Sequence, residues 1–519
     1  MPDARVAGTR SLVGALLLAS LVAQAGCGPA PAPLEEARRR SFVILGLDGA
    51  AWEVLDPLLE AGELPTLAGL IVRGARAELR AESRYALSGP SWTTIASGKR
   101  AARHGITSNR GDPTVARFWD IVGSQGRRSL VLGWVLADAT RPVEGWLLSG
   151  PFAEPRSQPP DLLARLEAEL GPYQPDADLR EVSAAFVAAV EASSASQLRY
   201  LAALLPRDDW AVAAAVIVAP DRLQHFFWKY HEPEAFGLDP ASPEVRAHSD
   251  AIRGWWRRFD AALAGLLEEI ELERRTLLVV SDHGFQAAPN LGPQCKAISI
   301  DYVLRAAGWL ALDRDHRIVP EATRVRAEVE KERAPAGASR TVRLHVSDAE
   351  LLEPVRALFA GAVTERGARC FDAVRIEAGE VRLDVLRAAD LRADDVLRLP
   401  LGSEVRTVPL DALLTRERTR SGTHTPRGIL VAAGAGVRRG VVLEPLDGAQ
   451  VTPTLLAALG IPLARDMDGA PATALFEPGW LPAPPPPVET WDDRVPPPSA
   501  GPADPAHLEE RLRGLGYVQ

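Results

Sequence analysis

Asp221 and His225 are metal-ligand residue types that stand four positions apart. If a helix begins at Asp221, both side chains lie on one face, one turn apart. A carboxylate and an imidazole in that arrangement can share one zinc ion. The alternative is an aspartate at a helix start with an unrelated histidine nearby.

Asp282 and His283 are adjacent and are followed by Gly284. Neighbouring residues on a regular strand point to opposite faces, so both side chains reach one site only where the chain turns. A glycine permits such a turn. The same three residues are also explained by an ordinary turn at a strand end.

His424 lies in a polar segment just before an apolar run, residues 428–433. A histidine in a polar loop is equally well explained as a solvated side chain. Among the nine histidines, however, only His225, His283 and His424 combine metal-like spacing with a place beside a strand edge.

A hydroxyl group stands at the predicted start of a helix in the segment 87–98, LSGPSWTTIASG. Pro90 suits the first turn of that helix and Gly98 suits its end. Ser88 would then lie at the helix N-terminus, where N–H groups and the dipole favour a phosphate. A hydroxyl there is placed to attack phosphorus; the alternative is that Ser88 only caps the helix.

Three short apolar runs, rich in Val, Ile and Leu, lead into these acids, with helical patterns between them, as at 197–205 and 251–272. The runs and acids are Phe42–Leu47 with Asp48, Ala213–Ala219 with Asp221, and Thr276–Val280 with Asp282. The alternation predicts an α/β fold with a doubly wound, mostly parallel sheet. Parallel strands bring their carboxyl ends to one edge, where ligands bind. Three acids at that edge, two with a histidine nearby, indicate a metal cluster.

The order of these residues resembles the alkaline phosphatase superfamily, and within it the type I phosphodiesterase/nucleotide pyrophosphatase group and its bacterial phosphohydrolase relatives. The blocks that carry the resemblance are Leu47-Asp48-Gly49, residues 88–99, His104-Gly105-Ile106, residues 221–225, residues 281–285, Gly422-Thr423-His424, residues 451–462 and Asp468-Gly469. The resemblance spans about residues 42–290 and 420–475. It implies an alkaline-phosphatase-like fold. The insertion between its blocks, about residues 291–419, has strand-like runs such as 341–346 and helix-like runs such as 349–358, which predict an inserted α+β cap beside the site.

The resemblance also implies a role for each site residue. One metal ion would be held by Asp221, His225 and His424, and the other by Asp48, Asp282 and His283, with Ser88 as its further ligand. Ser88 would be the nucleophile, and hydrolysis would pass through a phosphoserine. Nitrogen and carboxylate ligands without cysteine suit Zn²⁺, with Mn²⁺ as the alternative. Ser91 aligns with a phosphate-contacting asparagine of the pyrophosphatases, which makes it a candidate substrate contact.

These features together predict a metal-dependent hydrolase of phosphate esters, of the phosphodiesterase or nucleotide pyrophosphatase type. A phosphomonoesterase or phosphomutase is the alternative, because serine is the nucleophile of the phosphatases and mutases, whereas the phosphodiesterases use threonine. A sulfatase would need arginine four residues after the nucleophile, where this chain has Trp92. A lipid-anchored binding protein without activity is the alternative of another class.

The composition of the chain narrows the classes of binding partner to be expected. The net charge of −9 disfavours a protein that binds a nucleic-acid duplex, because phosphate backbones favour a basic face. Hydrophobic residues at 46% and charged residues at 24% are ordinary for a globular protein. The expected partner, a small-molecule phosphate ester, is implied by the family resemblance.

The N-terminus predicts export. Arginines precede an apolar run, Leu12–Ala23, that is too short to span a bilayer well and matches a signal-peptide core. Small residues then precede Cys27, which resembles a bacterial lipobox, although Gln24 replaces the usual leucine. We expect lipidation at Cys27 and a periplasmic or cell-surface protein held to a membrane by that anchor. Ordinary signal cleavage after Ala25 is the alternative.

The same patterns predict a division of the chain. The expected parts are a signal peptide with lipobox (1–27), a tether (28–40), the catalytic domain (41–290 and 420–480), an inserted cap region (291–419), and a Pro-rich arm with a short terminal helix (481–519). Cys295 and Cys370 either pair in an oxidising compartment or remain two buried thiols.

Overall fold

A computed structural model of the chain describes residues 32–495, apart from residues 138, 152, 154, 178–181, 289–299, 312–318, 330–337, 387–395, 402–403 and 410–419. The predicted signal peptide, Cys27, Cys295 and the terminal helix lie outside the described residues, whereas Cys370 is buried. Within the described ranges, no helix has the length and apolar character needed to cross a membrane.

The secondary structure alternates strands and helices through most of the chain. The helices are α1 Leu34–Ala37, α2 Trp52–Glu60, α3 Pro65–Val72, α4 Ser88–Ser97, α5 Ala101–His104, α6 Phe118–Ser124, α7 Leu162–Leu170, α8 Ala184–Leu204, α9 Ala219–His231, α10 Pro243–His248, α11 Asp250–Ile270, α12 Ile300–Ala306, α13 Leu352–Gly361 and α14 Val451–Ala458. The strands are β1 Ser41–Leu47, β2 Ala75–Arg80, β3 Ser129–Trp134, β4 Gly145–Ser149, β5 Ser157–Gln158, β6 Val212–Ile217, β7 Arg275–Val280, β8 Gly284–Ala287, β9 Val325–Val329, β10 Ala338–Val346, β11 Val363–Thr364, β12 Phe371–Glu377, β13 Glu380–Leu386, β14 Val396–Leu401, β15 Glu404–Pro409, β16 Gly422–Thr425, β17 Arg427–Gly434, β18 Val441–Val442 and β19 Leu446–Asp447.

A ten-stranded sheet forms the centre of the molecule, in the order β18-β2-β17-β7-β1-β6-β3-β4-β5 with β19 beside β2. Its central strands β7, β1, β6, β3 and β4 are parallel, whereas β17 runs antiparallel between β7 and β2. Strands β1, β6 and β7 are buried along their whole length, which explains their continuous apolar sequence. The predicted α/β class with a mostly parallel sheet is confirmed.

Helices cover both faces of this sheet. Along β1, Val43 and Leu45 pack with α2, α3, α8, α9 and α11, whereas Phe42 and Ile44 pack with α4, α6 and α14. Alternate residues of one strand therefore enter opposite apolar layers, as the strand period requires. Burial on both sides fixes the register of the central strands, and with it the positions of the residues at their ends.

The segment between β8 and β16 begins and ends at neighbouring strands, because Ala287 of β8 is opposite Gly422 of β16. Its described residues form two small antiparallel sheets, β12-β13-β10-β9 and β11-β14-β15. These sheets and the helices α12 and α13 share one apolar cluster made from their own side chains. The mixed helix and strand content is that expected of the inserted cap region.

Two segments expected to be extended are packed instead. Residues 34–37 of the predicted tether form α1, and the guanidinium of Arg40 lies 3.7 Å from the ring centre of Trp480. In the predicted arm, Trp491 is buried and the N–H of Val488 donates to the carbonyl of Leu463. Large apolar side chains within proline-rich sequence explain the difference, since burying them offsets the cost of ordering the chain.

Candidate active site

Six ligand-type side chains come together at the carboxyl edge of the central sheet in two adjoining groups of three. Within each group, one ligand atom from every residue lies within 4.8 Å of the others. The serine-side cluster consists of Asp48, Asp282 and His283, and the arginine-backed cluster consists of Asp221, His225 and His424. These are the six ligands expected from the sequence, in the two predicted groups.

The serine-side cluster is built from the ends of two neighbouring strands. Asp48 follows β1, and its Oδ2 accepts a hydrogen bond from the indole Nε1 of Trp92 at 3.1 Å. Asp282 follows β7, and its Oδ1 accepts from the N–H of Gly49 at 3.2 Å. A Cβ on Gly46 would lie 2.5 Å from the Trp92 ring, so the glycine in β1 admits the indole. Helix α4 thereby fixes the orientation of Asp48.

Gly284 has a different role from the turn expected of it. It is the first residue of β8, and a Cβ there would lie 1.9 Å from the carbonyl oxygen of Arg427 on β17. The bend between β7 and β8 falls at Asp282 instead. A glycine is required here because two backbones approach closely, not because the residue turns.

Helix α9 and strand β16 supply the arginine-backed cluster. The helix begins at Ala219, so Asp221 lies in its first turn and His225 one turn later, as the spacing predicts. Oδ1 of Asp221 lies 3.3 Å from Nε2 of His225 and 3.0 Å from Nε2 of His424. The other oxygen, Oδ2, accepts from Nη1 of Arg222 at 2.5 Å.

All three histidines are held in the same tautomer. In each ring Nδ1 faces a backbone carbonyl: that of Gly422 for His225 at 3.2 Å, Ala86 for His424 at 2.9 Å and Gly284 for His283 at 3.3 Å. A carbonyl only accepts, so Nδ1 carries the hydrogen and Nε2 of a neutral ring presents its lone pair. The Nε2 atoms of His225 and His424 lie 3.0 Å apart. A cation bound between these two atoms would relieve the repulsion of lone pairs at this distance.

The serine-side cluster also fits a cation, because of its buried polar atoms and its two carboxylates. Oδ2 of Asp282 and Nε2 of His283 are buried without a hydrogen-bond partner. Burial and the charge of Asp48 raise the pKa of Asp282 well above its ordinary value. Burial and the charge of Asp221 raise the pKa of Asp48 in the same way. A divalent ion would satisfy the unpaired atoms and offset the repulsion between the carboxylates.

Burial also favours the neutral form of two of the imidazoles. It lowers the pKa of His225 to about 4, despite the opposing attraction of Asp221. It lowers the pKa of His283 well below the ordinary value as well. Neutral imidazole is the metal-binding form of histidine, so these rings are ready to act as ligands near neutral pH.

One phenylalanine touches all three histidine rings. The ring centre of Phe285, a fully buried residue on β8, lies 4.8 Å from that of His225, 5.0 Å from His424 and 6.0 Å from His283. The rings of His283 and His424 stack at 3.7 Å between centres. The two clusters therefore share a wall, and Phe285 holds the three imidazoles from one side.

Ser88 lies at the start of α4, and that helix ends at Gly98 in the left-handed conformation, as predicted. The fully buried Oγ of Ser88 donates to Oδ1 of Asp48 at 3.4 Å. One helix N–H expected to be free is occupied, because Gly89 donates to Oδ1 of Asn109 at 2.7 Å. The hydroxyl therefore stands against the serine-side cluster, with the side chain of Asn109 beside it.

Asn109 is a site residue that the sequence did not indicate. It is buried, and a Cβ on Gly89 would lie 2.4 Å from the carbonyl of Ser108, so only glycine admits this loop against the helix. A bond of 3.0 Å between Nε2 of His104 and Oγ1 of Thr94 ties the same loop to α4. A single asparagine in a polar loop has no spacing that would distinguish it.

Ser91 lies on the same helix but is turned to a different partner. Its hydroxyl donates to the carbonyl of Tyr85 at 3.2 Å, in the loop that precedes Ser88. Residues of that loop and of α4, including Ser91, line a depression of about 280 Å³ that also reaches Asp282. Contact between Ser91 and a substrate remains a prediction.

Comparison with known proteins adds a family. The family of type I phosphodiesterases and nucleotide pyrophosphatases matches residues 42–355, a range that includes every predicted ligand except His424. No curated protein matches the chain in sequence.

Solved structures similar to this chain include murine ectonucleotide pyrophosphatase/phosphodiesterase 5, in an inactive form in complex with AMP. The identity is 14%, over 81% of this chain and 95% of that chain, with a TM-score of 0.41. The human counterpart gives the same identity, coverage and TM-score.

Proposed function

The chain belongs to the type I phosphodiesterase/nucleotide pyrophosphatase family of the alkaline phosphatase superfamily, and from that premise we propose that its two clusters and Ser88 form one hydrolytic site. Hydrolysis of phosphate esters is the activity of this family. The metal ions, the phosphoserine and the choice of ester are the proposal.

One observation carries it. The Oγ of Ser88 lies 3.4 Å from a carboxylate oxygen of the serine-side cluster, and the arginine-backed cluster adjoins through the stacked rings of His283 and His424. A nucleophile placed beside one of two adjoining ligand sets is the arrangement needed for in-line displacement at phosphorus.

Two divalent ions fit these ligands, and when bound they would stabilise negative charge on the attacking and leaving oxygens. The arginine-backed cluster offers two imidazoles and one carboxylate, a set that suits Zn²⁺. The serine-side cluster offers two carboxylates and one imidazole, which suit Mn²⁺ as well as Zn²⁺. Zinc in both clusters is the first expectation, with manganese as the alternative.

Ser88 carries the covalent step. Its hydroxyl gives up its proton as the oxygen forms a bond to phosphorus, while the bond from phosphorus to the ester oxygen breaks. The ester oxygen leaves with the electron pair of that bond and takes up one proton, so that none is gained or lost overall. Water then cleaves the phosphoserine and restores the hydroxyl. Asn109 holds Gly89 through Oδ1, which leaves its Nδ2 hydrogens as donors for a phosphoryl oxygen.

The proposed substrate is a phosphodiester or a nucleotide pyrophosphate, with a phosphomonoester as the alternative that a serine nucleophile favours. The test is a screen of the metal-loaded protein against chromogenic mono- and diesters, with metal content measured on the same sample. Faster turnover of diesters and two bound ions would support the proposal. Absence of stoichiometric zinc or manganese would indicate an inactive binding protein.

We also propose that the mature protein is exported and lipid-anchored through Cys27. The short apolar run and the small residues before Cys27 support this. Mass spectrometry of membrane-extracted protein should find a diacylglyceryl-modified N-terminal cysteine. A mature chain that begins at Gly26 would contradict lipidation while leaving export intact.

A further inference from the structure

Behind Asp221, buried charged side chains form a series of ion pairs. Arg222, with 2% of its side chain exposed, donates through Nη1 to Oδ2 of Asp221 at 2.5 Å. Its Nε and Nη2 donate to both oxygens of Asp176, at 3.0 and 2.8 Å. One guanidinium therefore bridges two buried carboxylates, and only the planar fork of arginine provides that geometry.

Asp176 is itself held by helix α8. The segment 171–177, between α7 and α8, is fastened by Ser193 and Gln197, whose side chains donate to the carbonyls of Gln174 and Pro175 at 3.1 and 2.7 Å. Ser196 adds a bond to the carbonyl of Pro172 at 3.0 Å. Helix α8 contributes no ligand, but it holds the segment that carries Asp176, and Asp176 in turn holds Arg222.

The two oxygens of Asp221 have separate surroundings as a result. Arg222 engages Oδ2, whereas Oδ1 faces the Nε2 atoms of His225 and His424. A carboxylate held in this way presents one oxygen to a bound ion, in a fixed direction. Carboxylates and carbonyls behind metal ligands commonly set ligand orientation, and their loss costs about 10- to 100-fold in metal affinity.

We infer that Asp176 and Arg222 are positioning residues that hold Asp221 as a one-oxygen ligand of the arginine-backed cluster. The inference rests on the proposed function, since it assumes that this cluster binds a metal ion. Stability alone is a weak reason for the arrangement, because buried ion pairs are often no more stabilising than apolar side chains of the same volume. If Asp176 positions Asp221, a change at Asp176 should weaken metal binding at only one of the two clusters.

The test is a titration of the metal-free full-length protein with Co²⁺, followed by visible absorption, which reports coordination without any need for activity. The unchanged protein should bind two ions. Asp176→Asn should weaken one of the two by about 10- to 100-fold and leave the other unchanged. Arg222→Lys, which keeps the charge but loses the fork, should weaken the same site.

A matched control is available in another buried ion pair. Arg117 and Asp120 interact at 3.1 Å at the start of α6, with side chains 7% and 1% exposed, and neither residue belongs to either cluster. Asp120→Asn should lower stability without changing either Co²⁺ affinity. If Asp176→Asn behaves like Asp120→Asn, the pair is only structural and the inference is wrong. If the unchanged protein fails to bind two ions, the proposed function fails first and the inference with it.

Discussion

The two clusters are built from carboxylates and imidazoles in different proportions, and they also differ in how their charge is balanced. Asp221 of the arginine-backed cluster has a guanidinium in contact with it, and His225, His424 and Arg222 together hold its pKa well below the ordinary value although burial acts the other way. In the described part of the chain, no arginine or lysine forms an ion pair with Asp48 or Asp282, and burial raises the pKa of both.

This difference in charge balance assigns different roles to the two clusters. Protein contacts hold Asp221 of the arginine-backed cluster in place without a metal ion. In the serine-side cluster the carboxylates of Asp48 and Asp282 repel each other, and a bound ion would relieve that repulsion. Ser88 lies against the serine-side cluster. We therefore expect the serine-side cluster to be the more dependent on metal and the more closely tied to the chemical step.

The largest expected effect separates the nucleophile from both clusters. Ser88→Ala should lower kcat by at least about a thousandfold, because the attacking oxygen is gone, while both ions still bind. Ser97→Ala on the same helix, whose hydroxyl donates to the carbonyl of Thr93, is the matched control and should retain most of the activity. Near-full activity of Ser88→Ala, or inversion of configuration when the phosphoryl group of a chiral substrate is transferred to an acceptor alcohol, would reassign the nucleophile.

The next test compares the clusters by the sign of a stability change. In the metal-free protein Asp221→Asn should destabilise by about 3 kcal/mol, because it leaves buried Arg222 short of a partner. Asp282→Asn should instead stabilise by about 1 kcal/mol, since it removes an uncompensated buried charge. Urea unfolding after chelation measures both. Equal losses in the two variants would show that the clusters do not differ as described.

A smaller effect concerns acid. His225 has a pKa of about 4 in the folded protein against an ordinary 6.5. Between these two values the unfolded chain binds more protons than the folded chain, so stability falls as the pH is lowered. The metal-free protein should lose about 2 kcal/mol from this ring between pH 6.5 and pH 5. His225→Gln should flatten the loss. The raised pKa of Asp282 acts in the opposite direction, so Asp282→Asn should steepen it.

The smallest expected effect tests whether the hydrogen bond from Trp92 orients Asp48. Trp92→Phe removes the indole donor and should weaken one Co²⁺ site by about tenfold, leaving the other unchanged. Trp119→Phe is the control, because Trp119 is equally buried in the same aromatic group and its Nε1 bonds to no ligand. Equal effects of the two substitutions would mean that packing, not the hydrogen bond, is responsible.

Local sequence was sufficient to indicate the ligands. Asp221 and His225 are neighbours on one helix, and Asp48 and Asp282 end apolar strands, so short-range periodicity brings each to a known place. The same holds for Ser88 at a helix start and Gly98 at its end. For His424 the only local sign was its place before a strand, and its grouping with Asp221 and His225 came from the family resemblance.

Residues that support the ligands could be found only in the folded chain. Asp176 and Arg222 are 46 positions apart, and Trp92 reaches Asp48 across 44. Such contacts depend on how helices pack over the sheet, and no spacing rule encodes them. The predicted tether and arm were misjudged for the same reason, since their sequence suggested extended chain, whereas long-range packing places Arg40 against Trp480 and buries Trp491.

The sequence by itself determined the alternation of strands and helices and the edge at which Asp48, Asp221, Asp282 and Ser88 stand, because each follows from local pattern and from where parallel strands end. The family resemblance added His424 and the predicted roles of ligand and nucleophile. Tertiary structure alone decided the charge balance of the two clusters, the common tautomer of the three histidines and the place of Asn109. Those properties depend on the direction and burial of individual atoms, which a one-dimensional pattern does not specify.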